Sequence, residues 1–576
     1  MKTTRYIIMS MALAALTLTS CSESFLDKLP DERIEIDSEE KVAQLLISCY
    51  PSGSYAWVSE ISSDNMMDNN APHLPASPNA EQVLTHYNLS SYDRVDDEMF
   101  RFDPAKSSTS QDTPGFLWET FYGAIASVNH ALQAIDEISD GGRNMTPSLT
   151  ASRAEALLIR AYCHFILVNV FSQAYKTDEL SLADKGIPYM TEPEEKVIVE
   201  YNRGTVTDTY AKIQADLEEG LANLSEYNYK LPKWRFNLNA AHAFAARFYL
   251  YKRDWNKVIE HANYVLGTDN ESILSKLMDF SKFDECTYGS DYAKVWQDPA
   301  SPNNLMLIDT HSLMFRRGLG NRYAQNGEVV KDLFYHNSPM WSRWVVNPTA
   351  YVSGMTFWTG EDYGYCSGKV YEEFEYTDKI AGIGYVHTIK REFTCNELLL
   401  ERAEAYIMLG NYASALEDLI SYEKSNQSFS PTNLISWGAN GGMADLSQDI
   451  IDSYYTNSSN PNCLDNWDFL TNMSPSTVLP AEGVRYMNCL NDFRRFETNW
   501  DGLRFFDLKR WGMEYSHFVG ADNVEYKLTW NDERRAVEVP QDAIAAGMEP
   551  SRTYSTSYDD SQRASIEPQS KFIYIK

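Results

Sequence analysis

Positive charge is scarce in this chain: 50 Lys and Arg stand against 81 Asp and Glu over 576 residues, a formal net charge of −31. A surface this acidic repels phosphate backbones, which argues against nucleic acid as a partner. Histidine and cysteine are scarce as well, at 10 and 8 residues, and the cysteines show no Cys-x-x-Cys and no spacing that suits a zinc site. Gly-x-Ser-x-Gly, His-Glu-x-x-His, a phosphate loop and a dinucleotide fingerprint are all missing; Gly318-Leu319-Gly320 lacks a third glycine and reads as a turn. No catalytic constellation is in view. No twelve-residue calcium loop is present; clustered Asp and Asn leave a structural calcium open, and no other cofactor is implied. Beyond the N-terminus, no second apolar run approaches a membrane span.

What is present starts at the N-terminus. Lys2 and Arg5 form a basic start, Ile7 to Leu18 an apolar run too short to cross a bilayer, and Leu18-Thr19-Ser20-Cys21 a cleavage site. A cysteine at that point offers the thiol that accepts a diacylglycerol, so residues 1–20 read as a lipoprotein signal peptide and Cys21 as the lipidated first residue of the mature chain. Buried acyl chains contribute about 0.8 kcal/mol per CH₂ and hold such a protein on a membrane without spanning it. The other cysteines, at 49, 163, 286, 366, 395, 463 and 489, are expected to form few or no disulfides.

Helical periodicity dominates. Trp118, Phe121, Ile125, Val128, Leu132 and Ile135 fall three or four apart, as do Ala154, Leu157, Leu158, Ala161, Phe165 and Val168. Asn239–Tyr251, the turn Arg253-Asp254-Trp255 and a helix from Asn256 to Leu266 form a pair. Leu398–Leu409, Gly410-Asn411-Tyr412 and Ala413–Ile420 form another, with the aromatic-then-alanine spacing of tetratricopeptide repeats. The fold class read from this is all-α in the main: stacked tetratricopeptide-like helix pairs as a scaffold, with long irregular insertions. The division is a signal peptide at 1–20, an N-terminal helical region at 21–266, a loop-rich ligand-binding insertion at 267–390 and a C-terminal region at 391–576.

Several ordered motifs resemble the SusD/RagB family of outer-membrane nutrient-binding lipoproteins. They are Cys21 with Phe25-Leu26-Asp27, the run Arg153–Tyr162, Gly186-Ile187-Pro188-Tyr189, Glu397–Gly410, and Gly502-Leu503-Arg504-Phe505-Phe506-Asp507-Leu508-Lys509-Arg510-Trp511-Gly512. The last resembles that family's Gly-x-Arg-Trp-x-Asp-Leu-x-Arg-Trp-Gly segment, with Phe505 in place of the usual Trp. Its Arg504, Asp507 and Arg510 are read as structural, the guanidinium groups pairing with Asp507 or capping carbonyls. The resemblance implies a binder and not an enzyme: a protein on the outer membrane, lipid-anchored and facing the exterior, that holds a glycan over a SusC-like TonB-dependent porin and closes on it as a lid. A peptide ligand and, further off, a glycoside hydrolase are the alternatives. For the hydrolase, Asp96, Asp97, Glu98, Glu361 and Asp362 are the carboxylates to consider.

Sugar recognition needs flat apolar faces for pyranose C–H bonds and polar groups for hydroxyls. The 267–390 stretch is rich in both. Trp296, Trp341, Trp344 and Trp358 are the leading ligand candidates, with Tyr323, Asn321 and Arg322. A second candidate patch runs from Asp64 through His73 to Tyr92.

Overall fold

The computed structural model describes residues 36–72, 88–105, 108–194, 201–283, 285–287, 289–319, 321–330, 332–333, 364–426, 446–457 and 463–553. Cys21 and the signal peptide lie outside the described residues.

The frame is helical, and local sequence explains where each helix starts. Helix α1 (Glu39–Ile47) is capped by Ser38, whose hydroxyl accepts from the Lys41 amide. Both α2 (Pro114–Ile138) and α3 (Pro147–Phe171) begin with a Thr cap followed by Pro, whose missing N–H costs nothing in the first turn. Helix α4 (Val206–Asn223) opens with a Thr205–Asp208 capping box. Helix α5 (Leu238–Lys252) ends where Arg253 adopts a left-handed conformation (φ 66°), and Asp254 then caps α6 (Trp255–Leu266). Helix α7 (Cys395–Met408) leads through Gly410 into α8 (Tyr412–Asn426), and α9 (Ala481–Glu497) precedes α10 (Arg504–Trp511).

Neighbours in the chain are neighbours in space. α2 packs on α3, α3 on α4, α5 on α6, α6 on α7 and α7 on both α8 and α9. Alanines 240, 241, 243, 245 and 246 make α5 narrow enough for close approach. The expectation that no second apolar run is membrane-like needs correction: α3 is long and apolar enough to span a bilayer. It is instead the core helix of the stack, its most apolar stretch wholly buried, each fully buried Leu, Ile or Val contributing roughly 1.5–3 kcal/mol.

The described part of the 267–390 stretch carries more regular structure than its composition suggests. It holds helices at Asn270–Lys276 and Gly289–Trp296 and most of the β-structure. β1 (Met67–Asp68) pairs antiparallel with β3 (Tyr323–Ala324), while β2 (Asn304–Thr310), β5 (Ile383–Thr394) and β4 (Glu373–Asp378) form a sheet in that order. A separate hairpin joins β6 (Tyr515–Val519) to β7 (Val524–Leu528). β2 shows no alternation because both its faces are buried around Leu305-Met306-Leu307-Ile308, and a short apolar run does not by itself reveal a strand.

Buried ion pairs tie the frame together. Asp507 accepts from Arg494 at 2.9 and 3.1 Å and from Arg510 at 2.8 Å, and Arg510 also grips Glu404. Arg504 forms a fork with Asp64, both bonds 2.7 Å. In spite of burial, Arg504 with Arg495 holds Asp64 down at about 2, and Arg494 with Arg510 keeps Asp507 below the usual carboxylate range. Gly502, at φ 81°, brings its backbone so close to helix 56–61 that a Cβ would stand 2.5 Å from the Ala56 Cα. The motif at 502–512 is therefore the joint between the N-terminal segment and the C-terminal helices, in agreement with its structural reading.

Candidate ligand-binding surface

The β1–β3 pair brings together the two patches that the sequence offered separately. The Asn69 amide donates to the Arg322 carbonyl at 2.8 Å, and Asn69 Nδ2 donates to the Asn321 carbonyl at 3.0 Å. Arg322 forks onto Asp68 (3.0 and 2.8 Å) and reaches Asp97 at 3.1 Å. The Tyr323 hydroxyl donates to Asp97 at 2.7 Å and its ring stacks on Phe100 at 4.4 Å. Asn70 exchanges hydrogen bonds of 2.8 and 2.7 Å with the Leu89 backbone, so residues 72 and 88 leave from this place. The Tyr365 amide donates to the Gln325 carbonyl at 2.8 Å, which brings the start of the 364–426 segment to the same strand pair. His73, Trp341, Trp344 and Trp358, with Glu361 and Asp362, lie outside the described residues.

The candidates that are described turn out to hold the site up, not to line it. Trp296 is a correction: it is 0% exposed, packed on Phe283 at 4.8 Å, with the Arg391 guanidinium 4.5 Å and the Lys369 ammonium 5.1 Å from its ring. Polar neighbours in sequence suggested a loop, but helix 289–296 turns the indole inward to cations that no local pattern reveals. Tyr323 is buried likewise, and Asn321 donates to the Arg316 and Arg317 carbonyls at 2.8 and 2.9 Å, closing the short helix Met314–Gly318. Arg322 is mostly covered by its two carboxylates.

Beside this support runs a strip of open rings. Tyr92 is 42% exposed, its ring 5.0 Å from the buried Arg317 guanidinium. Arg316 lies between the Tyr92 hydroxyl and Glu372, with which it forms an ion pair. Past Glu372, strand alternation puts Phe374 (47% exposed) and Tyr376 (52%) on one face of β4, their rings 4.8 Å apart at 73°. Gly384 permits this: a Cβ there would meet the Phe374 ring at 2.6 Å and the Glu375 carbonyl at 2.0 Å. The opposite face carries Tyr385, which donates to Glu375 at 2.8 Å, and His387, which meets Asp309 at 2.7 Å. Sequence reasoning missed Arg316, Glu372, Phe374 and Tyr376. The alternation Phe374-Glu375-Tyr376, followed by Gly382 and Tyr385, was the hairpin signal for it.

Of the carboxylates considered for hydrolysis, the three described ones are occupied. Asp96 accepts from Trp57 Nε1 at 2.8 Å and Arg317 at 2.7 Å, Asp97 from Ser91, Arg322 and Tyr323, and Glu98 pairs with Arg94. Burial pushes Asp96 upward, with Arg317 opposing. Among the described residues, no group of three His, Cys, Asp or Glu side chains is arranged to hold a metal, and the seven described cysteines are free thiols.

Residues 24–250 match a SusD-like family described as starch-binding and associating with the outer membrane. No curated protein matches the chain. Among solved structures, a SusD superfamily protein from Bacteroides vulgatus is 18% identical, covering 90% of this chain and 99% of its own, with a TM-score of 0.54. One from Bacteroides thetaiotaomicron is 16% identical over 90% and 100%, at 0.54. Surface glycan-binding protein A from Bacteroides uniformis is 16% identical over 88% and 98%, at 0.52.

Proposed function

We propose that this chain, whose residues 24–250 match a SusD-like family and whose fold resembles that of SusD superfamily structures over 90% of its length, is a non-catalytic surface lipoprotein that captures a glycan. It passes the glycan to a SusC-like TonB-dependent transporter, over which it closes as a lid. The observation that carries capture is the Tyr92–Arg316–Glu372–Phe374–Tyr376 strip, which offers rings for C–H faces and charged groups for hydroxyls. The glycan class is taken from the family description and from the name of the Bacteroides uniformis relative. The anchor proposed is the acylated Cys21, outward on the outer membrane.

Two experiments test this reading. A calorimetric panel of starch-derived and mucin glycans, on soluble protein beginning after Cys21, is expected to give saturable binding to at least one glycan and no release of reducing ends over a day. Turnover that survives purification, or binding to none of them, overturns it. Cys21→Ala is expected to leave folded protein that no longer pellets with membranes in a strain lacking the transporter, and retention there removes the lipid anchor from the proposal.

A further inference from the structure

A cavity of about 440 Å³ opens between the first half of α2, the 188–194 segment and residues 538–548, sharing no residue with the strip. Its size falls in the range of small-molecule sites. Trp118 and Tyr122 form one wall, their rings 4.7 Å apart at 49°, and Met190 and Tyr201 line it as well. The wall is fixed. Trp118 sits edge-on to Phe171 at 5.0 Å, and the Tyr122 hydroxyl donates to the Pro188 carbonyl at 2.8 Å.

The charged side chains that line this cavity are of one sign, while the buried Arg203 guanidinium acts on the Tyr122 hydroxyl and on Glu538. Glu119, Glu192 and Glu194 line the cavity, are exposed and form no ion pair among the described residues, and no described lining residue is Lys, Arg or His. Aromatic faces attract cations through the ring quadrupole, and open carboxylates at the rim add Coulomb attraction of the same sign. A neutral sugar would use only half of this chemistry and an anion would be repelled.

We infer that this cavity is a binding site for a small organic cation, a protonated amine carried on an apolar body. The apolar body lies against Trp118 and Tyr122, and the ammonium group faces Glu119 and Glu192.

The test compares 2-phenylethylammonium with 2-phenylethanol, nearly the same shape without the charge, by calorimetry on the soluble chain. The amine is expected to bind at least about fivefold more tightly than the alcohol, and Glu119→Gln with Glu192→Gln is expected to remove most of that difference. Trp118→Leu is expected to weaken both probes. Because that variant can also loosen the packing on Phe171, its melt is recorded, and the rim double variant decides alone if the melt drops. Equal affinity for amine and alcohol, an amine preference untouched by the double variant, or no amine binding up to about 10 mM each overturns the assignment.

Discussion

Arginines and aromatic rings do opposite jobs in two parts of this molecule. In the helical frame, Arg494, Arg504 and Arg510 are buried with Asp507, Asp64 and Glu404, and Trp500 and Trp511 are fully enclosed. In the strip, Arg316 keeps 42% of its side chain in water and Tyr92, Phe374 and Tyr376 are each about half exposed. Taking a guanidinium out of water costs several kcal/mol, which only a full set of partners offsets. The frame supplies most of that set through helices that converge on Asp507, leaving Arg494 Nη1 buried without a hydrogen-bond partner among the described residues. The strip does not, so its groups keep binding capacity for something outside the chain.

The largest effect expected from breaking this contrast is in the frame. Asp507→Ala leaves Arg494 without its paired carboxylate and Arg510 with Glu404 alone, a loss of about 3–5 kcal/mol that a thermal melt or a failure to express folded protein would register. Arg316→Ala in the strip is expected to cost less than about 1 kcal/mol, because its partner is shared with solvent. Equal melts for the two variants would erase the distinction.

Trp296 sharpens it, since it lies in the stretch first read as the ligand face yet belongs energetically to the frame. Trp296→Ala is expected to lose roughly 3–5 kcal/mol of stability through the cavity it leaves. A variant that melts normally and has lost glycan binding would return Trp296 to the site. Phe374→Ala, Tyr376→Ala and Tyr92→Ala are expected to do the reverse, losing about 1–3 kcal/mol of glycan binding at an unchanged melting temperature. If all three bind as the wild type does, the strip is not the capture surface.

The frame was legible in the sequence because its signals are local. Three-four spacing in α2 and α3, the turns at Arg253 and Gly410, and the motif at 502–512 all depend on residues close together in the chain. The site was legible only as a region. Trp296 and Phe374 are both aromatics near polar residues, and what separates them is that Arg391 and Lys369 arrive over one ring from elsewhere in the chain while nothing covers the other. The meeting of residues 67–68 with 323–324 likewise depends on a pairing across some 250 positions, for which two-residue strands leave no periodic trace.

The last effect expected is read through pH and concerns charge inside the frame. Glu60 lies buried on helix 56–61 with Oε1 accepting from the Gly502 amide at 3.0 Å, and burial pushes its carboxyl up to about 8 from the ordinary 4.5. Between those two values the folded protein holds this proton and the unfolded chain has released it, so stability falls as pH rises through the window. The contribution is complete below pH 4.5 and lost above about 8. Asp112, pushed up to about 6 by the same cause, acts in the same direction at lower pH and is common to wild type and variant. Glu60→Gln keeps the carbonyl that accepts from Gly502 and removes the titration. Relative to wild type, the variant is therefore expected to gain roughly 3–4 kcal/mol between pH 5 and pH 8, read as a narrowing or reversal of the melting-temperature gap. A gap that stays constant over this range would mean that Glu60 is already ionised in the folded protein, and that the joint at Gly502 is wetter than its burial implies.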